Sequence, residues 1–285
     1  MTFGASSWLW VSPLRTENTD SVFSKIHAAG FDVVEIALED PALLDVKVVK
    51  DTADKYGLRM IVCGAFGPSR DLTNDDPAVH EHCLKYIETC LDRCVEWSSP
   101  IFAGPMYSAV GKARMVSPAH RRTEWNRAVE NLRTVCRMAA DRNLDIALEP
   151  LNRFESDLVN TVDDLSRLIE DIGCSNAKMM LDSFHMNIEE PDPGAAIRKA
   201  GDKLIHFQVS ENHRGIPGSG STPWPAYFNA LKEIGYTGTI SIESFTPDNY
   251  ELAGAVCIWK PFAESQDEFA RQGLAFLKMN VNASA

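Results

Sequence analysis

The sequence predicts an α/β protein, a single (β/α)₈ TIM barrel that spans residues 1–285 as one domain. Short apolar runs alternate with stretches of helical period along the whole chain. Several runs, such as residues 146–148, are almost continuously apolar, as is typical of strands buried on both faces of a parallel sheet. The length also fits, because such a barrel needs about 250 residues. A doubly wound sheet is the rival fold, but no GxGxxG motif follows the first strand.

Each predicted strand is followed by a predicted helix. The strands are predicted at residues 3–7, 33–37, 59–63, 101–103, 145–149, 178–182, 204–209 and 239–243. The helices are predicted at residues 20–29, 41–56, 78–97, 124–142, 161–172, 192–200, 225–234 and 264–279. Gly30, Gly57, Gly173 and Gly235 each stand where a left-handed residue ends a helix. No linker or change of composition divides the chain, so we expect one barrel.

The composition excludes several classes of function. Forty acidic and 28 basic side chains give a net charge of −12 at pH 7, which repels nucleic acids and anionic membranes. No apolar stretch approaches the roughly 20 residues of a membrane span, and the N-terminus lacks the pattern of a secretion signal. Seven cysteines without a CxxC pair indicate reduced thiols. We therefore expect a cytoplasmic enzyme that binds neither nucleic acid nor membrane.

Polar side chains lie at the ends of the last four predicted strands. Glu149, Asp182, Gln208 and Glu243 come one from each successive strand. In this fold the carboxyl ends of the strands converge on one site. Close carboxylates repel one another unless a cation or raised pKa values neutralise them, and oxygen donors suit a hard divalent ion. One such carboxylate is as often a helix cap, but four polar residues in equivalent positions favour a metal site.

Further polar residues follow these strands in loops of the same rim. Glu155, His185 and Arg214 each lie three to six residues beyond a strand end. Any one of them alone is more often a solvated loop residue. Together they provide the groups that orient a polyhydroxylated ligand.

Aromatic residues follow the earlier strands. Trp8, Phe66 and Tyr107 lie beyond the first, third and fourth predicted strands. They either form an apolar wall against the far end of a sugar or pack in the core, and the sequence leaves both interpretations open.

The motifs that carry the polar residues resemble those of the ketose 3-epimerases. They are residues 149–153 (EPLNR), 182–187 (DSFHMN), 210–215 (SENHRG) and 242–243 (IE). These D-tagatose, D-allulose (D-psicose) and L-ribulose 3-epimerases belong to the xylose-isomerase-like barrel superfamily. The similarity extends over nearly the whole chain, and four motifs in the same order make it specific.

The resemblance implies a metal centre with two catalytic acids. Glu149, Asp182 and Glu243 would bind one divalent ion per subunit, Mn²⁺ or Mg²⁺, with Co²⁺ as a further candidate. Glu149 and Glu243 would also be the acid/base pair. The positions that would contact the sugar hydroxyls are Glu155, His185 and Arg214. The family also implies a homodimer or homotetramer.

One position departs from the commonest family pattern. Most members have a histidine ligand where this chain has Gln208, and the branch that the sequence resembles has glutamine there. An amide oxygen in this place makes the site harder and less suited to Zn²⁺ or Cu²⁺. His206 shares the strand face but lies about 6–7 Å deeper. We therefore expect Gln208 to bind the metal and His206 to lie behind it.

The expected reaction is epimerisation at C3 of unphosphorylated ketoses. The pairs in question are D-allulose/D-fructose, L-ribulose/L-xylulose and D-tagatose/D-sorbose. The scheme runs through a metal-stabilised enediolate, with Glu149 and Glu243 removing and returning the proton. One alternative is an aldose–ketose isomerase on the same barrel, which moves a proton between C1 and C2. The other is a non-catalytic sugar-binding barrel, which needs neither a metal nor two opposed acids.

Overall fold

Eight parallel strands close into a barrel, in the order β1 to β8 around the ring. The computed structural model describes residues 1–283, and side chains up to residue 281. The strands are β1 Thr2–Ser6, β2 Val33–Leu38, β3 Arg59–Gly64, β4 Ile101–Gly104, β5 Asp145–Leu148, β6 Ala177–Asp182, β7 Leu204–Val209 and β8 Thr239–Ile242. The predicted (β/α)₈ fold is confirmed.

Helices surround this barrel. Those of the described residues are α1 Thr16–Ala29, α2 Val46–Tyr56, α3 Pro77–Glu96, α4 Pro118–Ala140, α5 Val162–Ile172, α6 Ser183–Glu189, α7 Pro193–Ala200, α8 Trp224–Glu233, α9 Tyr250–Ala255 and α10 Gln266–Ala283. The glycines after α1 and α2 have the expected left-handed backbone, with φ of +91° at Gly30 and +64° at Gly57.

The predicted helices at residues 41–56 and 124–142 differ most from the observed ones. The helix predicted at residues 41–56 is wrong in its first part, where a short 3₁₀ turn, Pro41–Leu43, precedes α2. The chain is extended at Leu44, and α2 begins afresh where the Asp45 carboxylate accepts a hydrogen bond from the Val48 backbone N–H. Helix α4 begins six residues earlier than predicted, because the Ser117 hydroxyl caps it and Pro118 fits its first position.

The lower part of the barrel interior, away from the carboxyl ends of the strands, is apolar, and the upper part, at those carboxyl ends, is polar. Alternate strand residues face inward, and the lower layer is an apolar cluster of Val33, Ile61, Cys63, Ile101, Ala103, Ala147 and Met180. The outer strand faces pack against the helices in a larger core. Glu149 is two residues beyond Ala147, and Asp182 is two residues beyond Met180, so both carboxylates also face inward and lie above the apolar layer.

Among residues 1–283, no helix has the length and hydropathy needed to cross a membrane. All seven cysteines are free thiols.

Candidate active site

The carboxyl ends of β5 to β8 bring the four predicted ligands together. Asp182 pairs in register with Gln208 across β6 and β7, and Glu243 directly follows β8. Glu149 directly follows β5. All four side chains are buried, with at most 5% of the surface of any one exposed. These residues therefore form one water-poor, oxygen-rich cluster.

Asp182 serves both as a helix cap and as part of this cluster. Its Oδ1 accepts a hydrogen bond from the Phe184 backbone N–H at 2.9 Å, which begins α6. Its Oδ2 lies 2.5 Å from Arg214 Nη1. The capping interpretation is confirmed for one oxygen, while the other oxygen lies in the cluster, so the role of Asp182 as a metal ligand stays a prediction.

Arg214 provides the positive charge of the cluster. Its Nη1 contacts Asp182 and lies 3.0 Å from Glu243 Oε2. Its guanidinium carbon lies 4.1 Å from the ring centre of Phe184 and 5.2 Å from that of Phe245. The backbone is left-handed at this residue, with φ of +66°, and the Ser244 hydroxyl donates to its carbonyl oxygen. The loop thus holds the guanidinium between two carboxylates and two aromatic faces.

His185 directs its Nε2 toward the carboxylates of the cluster. Its Nδ1 accepts from the Asn152 backbone N–H at 3.1 Å, so the ring proton lies on Nε2. Nε2 is 3.6 Å from Glu149 Oε1 and 3.8 Å from Asp182 Oδ2. Burial lowers the pKa of His185, which favours the neutral ring. Glu149, Asp182 and His185 offer atoms within 4.8 Å of one another, but Nε2–H has no lone pair for a metal.

Asn152 links two predicted sugar-binding residues. Its side-chain Nδ2 donates to Glu155 Oε1 at 2.8 Å and lies 2.8 Å from His185 Nδ1. Sequence reasoning gave Asn152 no role, although it stands inside the 149–153 motif. Its position between Glu155 and His185 fixes both side chains relative to Glu149.

The electrostatics of the cluster favour a bound cation. Burial raises the pKa of Glu149 well above its ordinary value, and the charges of Glu243 and Asp182 raise it further. Burial raises the pKa of Glu243 to about 8, with Arg214 opposing the effect. When ionised, these three carboxylates carry a charge of −3, and the guanidinium of Arg214 reduces it to −2. A divalent cation matches that excess.

The donor set also fits a hard divalent ion. Gln208 Nε2 donates to Glu35 Oε1 at 2.6 Å, whereas Gln208 Oε1 is buried and has no hydrogen-bond partner among the described residues. An orphaned buried carbonyl oxygen costs free energy unless something binds it. Three carboxylates and an amide at the ends of successive strands suit Mn²⁺ or Mg²⁺. The residues present therefore fit the expected metal.

Comparison with known proteins decides the family. The sequence profile of the xylose isomerase-like TIM barrel family matches residues 23–279. The chain belongs to this family. L-ribulose 3-epimerase of Methylomonas sp. (strain DH-1) is 30% identical over 97% of this chain and 96% of its own. D-psicose 3-epimerase of Ruminiclostridium cellulolyticum is 32% identical over 86% of this chain and 84% of its own. The predicted membership of the ketose 3-epimerases is thereby confirmed, and this member of the family is an enzyme of the sugar-epimerase class.

A solved structure of this epimerase group has the same fold. The crystal structure of D-allulose 3-epimerase from Methylomonas sp. in complex with D-allulose superposes with a TM-score of 0.93. The two chains are 29% identical, and the match covers 98% of this chain and 97% of that one. The strand ends of this ketose 3-epimerase family member thus lie on a barrel closely similar to one known with a ketose bound.

Sequence reasoning also missed Glu35 in this epimerase family member. Glu35 lies in the middle of β2, fully buried, and contacts both His206 and Gln208. The available signal was a single carboxyl group within an otherwise apolar strand. The structure places His206 beside Glu35, with its Nε2 2.6 Å from Glu35 Oε2. His206 therefore reaches Gln208 through Glu35.

The three predicted aromatic residues have different environments. Trp8 packs on Phe245, with ring centres 5.6 Å apart, and so lies beside the ring that covers Arg214. Tyr107 is fully buried, and its hydroxyl donates to the Val159 carbonyl. Phe66 packs against core aromatic rings 5.7 and 6.3 Å away. Their contact with a sugar stays a prediction.

Proposed function

We propose that the chain catalyses metal-dependent epimerisation at C3 of unphosphorylated ketoses, with Glu149 and Glu243 as two acid/base residues. The observation that carries this proposal is the buried cluster at the ends of β5 to β8, which holds three carboxylates and the amide of Gln208, whose oxygen has no hydrogen-bond partner among the described residues. The ketose 3-epimerase relatives support reaction at C3. The pairs considered are D-allulose/D-fructose, L-ribulose/L-xylulose and D-tagatose/D-sorbose.

Glu149, Asp182, Gln208 and Glu243 are the residues that would hold the ion. A divalent ion in this place polarises the substrate carbonyl and makes the neighbouring C–H more acidic. The all-oxygen donor set supports Mn²⁺ or Mg²⁺, with Co²⁺ as a further candidate, over Zn²⁺ or Cu²⁺.

Glu149 and Glu243 carry the proton transfers in this proposal. One removes the C3 proton from one face of the sugar, and the other returns a proton to the opposite face. Burial raises the pKa of both groups, and the charge of Glu243 raises the pKa of Glu149 further. In the proposed scheme one of the two is protonated while the other is ionised. Because β6 and β7 lie between their strands, the two carboxyl groups can flank a sugar.

The remaining polar residues orient the hydroxyl groups of the sugar. His185 Nε2–H and the Arg214 guanidinium donate hydrogen bonds, and the Glu155 carboxylate accepts them. Asn152 holds Glu155 and His185 at fixed positions. Substrate binding therefore keeps C3 between the two acids while the carbonyl end faces the ligands.

The loop after β7 supports an unphosphorylated substrate. This glycine-rich segment, residues 215–221, is where a phosphate site of this fold would lie. Its backbone N–H groups at Gly218 and at the adjoining Thr222 already donate to the Glu211 carboxylate, at 2.8 and 2.7 Å. A buried carboxylate at this place would also repel a phosphate group.

Two finer expectations belong to the same proposal. We expect a homodimer or homotetramer, which analytical ultracentrifugation of the purified protein would distinguish. We also expect a cytoplasmic location, which fractionation of the native cells would test.

Product analysis tests the proposed function. We would load the metal-stripped protein with Mn²⁺ and incubate it separately with D-allulose, L-ribulose and D-tagatose. The expected products are D-fructose, L-xylulose and D-sorbose, and the metal-free protein should form none of them. An aldose product would assign the chain to the isomerases instead. Sugar binding without any turnover by the metal-loaded protein would indicate a binding barrel.

A further inference from the structure

A carboxyl group lies inside the barrel next to the predicted metal ligand Gln208, on β2 and therefore across the ring from β6. Glu35 is fully buried, and its neighbours along β2 are Val34 and Ile36. An ionisable group in such a place is costly unless both of its oxygens have partners. Its position therefore calls for a specific reason.

Both oxygens of Glu35 have a partner on β7. Oε2 lies 2.6 Å from His206 Nε2, and Oε1 accepts from Gln208 Nε2 at 2.6 Å. His206 and Gln208 are two residues apart on the inward face of the strand, so a single carboxylate reaches both. Since the amide nitrogen of Gln208 can only donate, Glu35 fixes the identity of the two ends of that carboxamide.

The orientation of Gln208 decides whether it can bind a cation. A carboxamide binds a metal ion through its oxygen, while its NH₂ group, with hydrogens outward, repels one. With Nε2 held on Glu35, Oε1 is directed to the other side and has no hydrogen-bond partner among the described residues. A carboxamide without this restraint could turn its nitrogen toward the ion.

We propose that Glu35 is a positioning residue that holds the Gln208 oxygen in the metal site and thereby sets the affinity for the ion. This inference rests on the part of the proposed function in which Gln208 is a metal ligand. Glu35 acts only through Gln208, and His206 keeps the carboxylate from rotating by binding its second oxygen. Partners of this kind typically change metal affinity by about 10- to 100-fold.

Metal affinity, measured without substrate, tests this role. We would titrate Mn²⁺ into metal-stripped wild type and Glu35→Met by calorimetry, because methionine keeps the length of the side chain and removes the acceptor. The expected result is a Kd raised about 10- to 100-fold. The matched control is Glu39→Met, since Glu39 directly follows β2 but accepts from the Ser12 hydroxyl instead. Its Kd should equal that of the wild type.

A double-mutant cycle separates positioning from a general structural effect. In a Gln208→Ala background, Glu35→Met should weaken Mn²⁺ binding no further, because the side chain that it orients is gone. Glu35→Gln keeps one acceptor oxygen and the same volume, so it should show a smaller loss than Glu35→Met. It also provides the measurement if Glu35→Met does not fold, as judged by circular dichroism.

Three results would overturn the role of Glu35. They are an unchanged Kd in a folded Glu35 variant, an equal further loss in the Gln208→Ala background, and a wild type that binds no divalent ion. If the Mn²⁺ affinity of the wild type depends on Glu35 and Gln208 but the protein epimerises no ketose, the proposed function is contradicted and the positioning role of Glu35 is supported.

Discussion

Glu149 and Glu243 differ from Asp182 in how their oxygens are engaged. One oxygen of Asp182 is committed to capping α6. Glu149 instead lies 3.6 Å from His185 Nε2, and burial raises its pKa well above the ordinary value. The pKa of Glu243 is likewise raised by burial, to about 8. A raised pKa makes a carboxyl group better able to hold and return a proton, which is what an acid/base pair requires.

The first prediction concerns these two acids. Glu149→Gln and Glu243→Gln should each reduce kcat by at least about 10³-fold, because an amide cannot transfer the C3 proton. Calorimetry should still detect Mn²⁺ binding, since an amide oxygen remains. Glu17→Gln, an exposed glutamate of α1, is the control and should behave as the wild type. Normal turnover in either active-site variant would refute the two-acid scheme.

The second prediction distinguishes Gln208 from His206. Gln208→Ala should raise the Kd for Mn²⁺ at least as much as Glu35→Met does, because it removes the proposed ligand oxygen itself. His206→Ala should weaken binding only partly, because Glu35 keeps its contact with Gln208. The measurement is a Mn²⁺ titration followed by electron paramagnetic resonance. Loss of the metal in His206→Ala with retention in Gln208→Ala would reverse the assignment.

The sequence could predict the four strand-end residues but not the side chains that orient them. Barrel topology makes successive strand ends converge, so spacing alone brings Glu149, Asp182, Gln208 and Glu243 together. Glu35 contacts Gln208 across 173 residues of chain, and no spacing rule links them. The tautomer of His185 depends on a backbone N–H in another loop, which also leaves no trace in the sequence.

At the scale of elements, one carboxylate organises the loop between β7 and α8. The Glu211 oxygens accept from the backbone N–H groups of Asn212, Gly218 and Thr222 and from the indole N–H of Trp224. The same loop carries Arg214, whose N–H donates to the Glu211 carbonyl. Glu211 therefore fixes the segment that places the guanidinium over the site.

The third prediction follows from the pKa of Glu211. Burial alone would raise it, but hydrogen bonds from Thr222, Trp224 and Asn212 lower the pKa to about 2, below the ordinary 4.5. A lowered pKa contributes stability that is fully present above pH 4.5 and is lost as the pH falls toward 2. The free energy of unfolding of Glu211→Gln should therefore be about 2 kcal/mol lower than that of the wild type at pH 7, and this difference should vanish near pH 2.

Urea unfolding of both proteins between pH 2 and 7 measures this effect. The variant should also show a raised KM, because Arg214 loses its fixed loop. A stability difference that does not change with pH would show that the carboxylate charge of Glu211 is not responsible.

Short elements were harder to predict than long ones. Helices α6 and α9 have seven and six residues, too few for a helical apolar period to be evident. Helix α6 begins at Asp182, whose carboxylate accepts a hydrogen bond from the Phe184 backbone N–H. This cap can be recognised only once the end of β6 is known. By contrast, the longer helices and the eight strands followed from periodicity and from glycines such as Gly30.

At the scale of the whole molecule, the predicted metal links the strand ends on one side of the barrel. Its ligands come from β5, β6, β7 and β8, which are consecutive around the ring. In its absence the buried carboxylates repel one another, and Arg214 opposes this repulsion. An ion bound only by the folded state also stabilises that state directly.

The fourth prediction is that metal removal lowers the Tm. Mn²⁺ at 100 times its Kd should stabilise the stripped protein by about 2.7 kcal/mol, or roughly 5 °C in Tm. Differential scanning calorimetry with and without Mn²⁺ measures the shift, and Gln208→Ala should show almost none. A wild-type Tm that does not change when Mn²⁺ is added would contradict a metal centre in the folded barrel.

Solvent isotope exchange at the reacting carbon tests whether Glu149 and Glu243 transfer the C3 proton. The Mn²⁺-loaded protein would be incubated with D-allulose and with L-ribulose in D₂O, and NMR would locate the deuterium and identify the sugars. We expect deuterium at C3 of a C3-epimerised product from the wild type, and none with Glu149→Gln or Glu243→Gln. Deuterium at C1 or C2 with an aldose product, or no exchange while the metal is bound, would contradict this scheme.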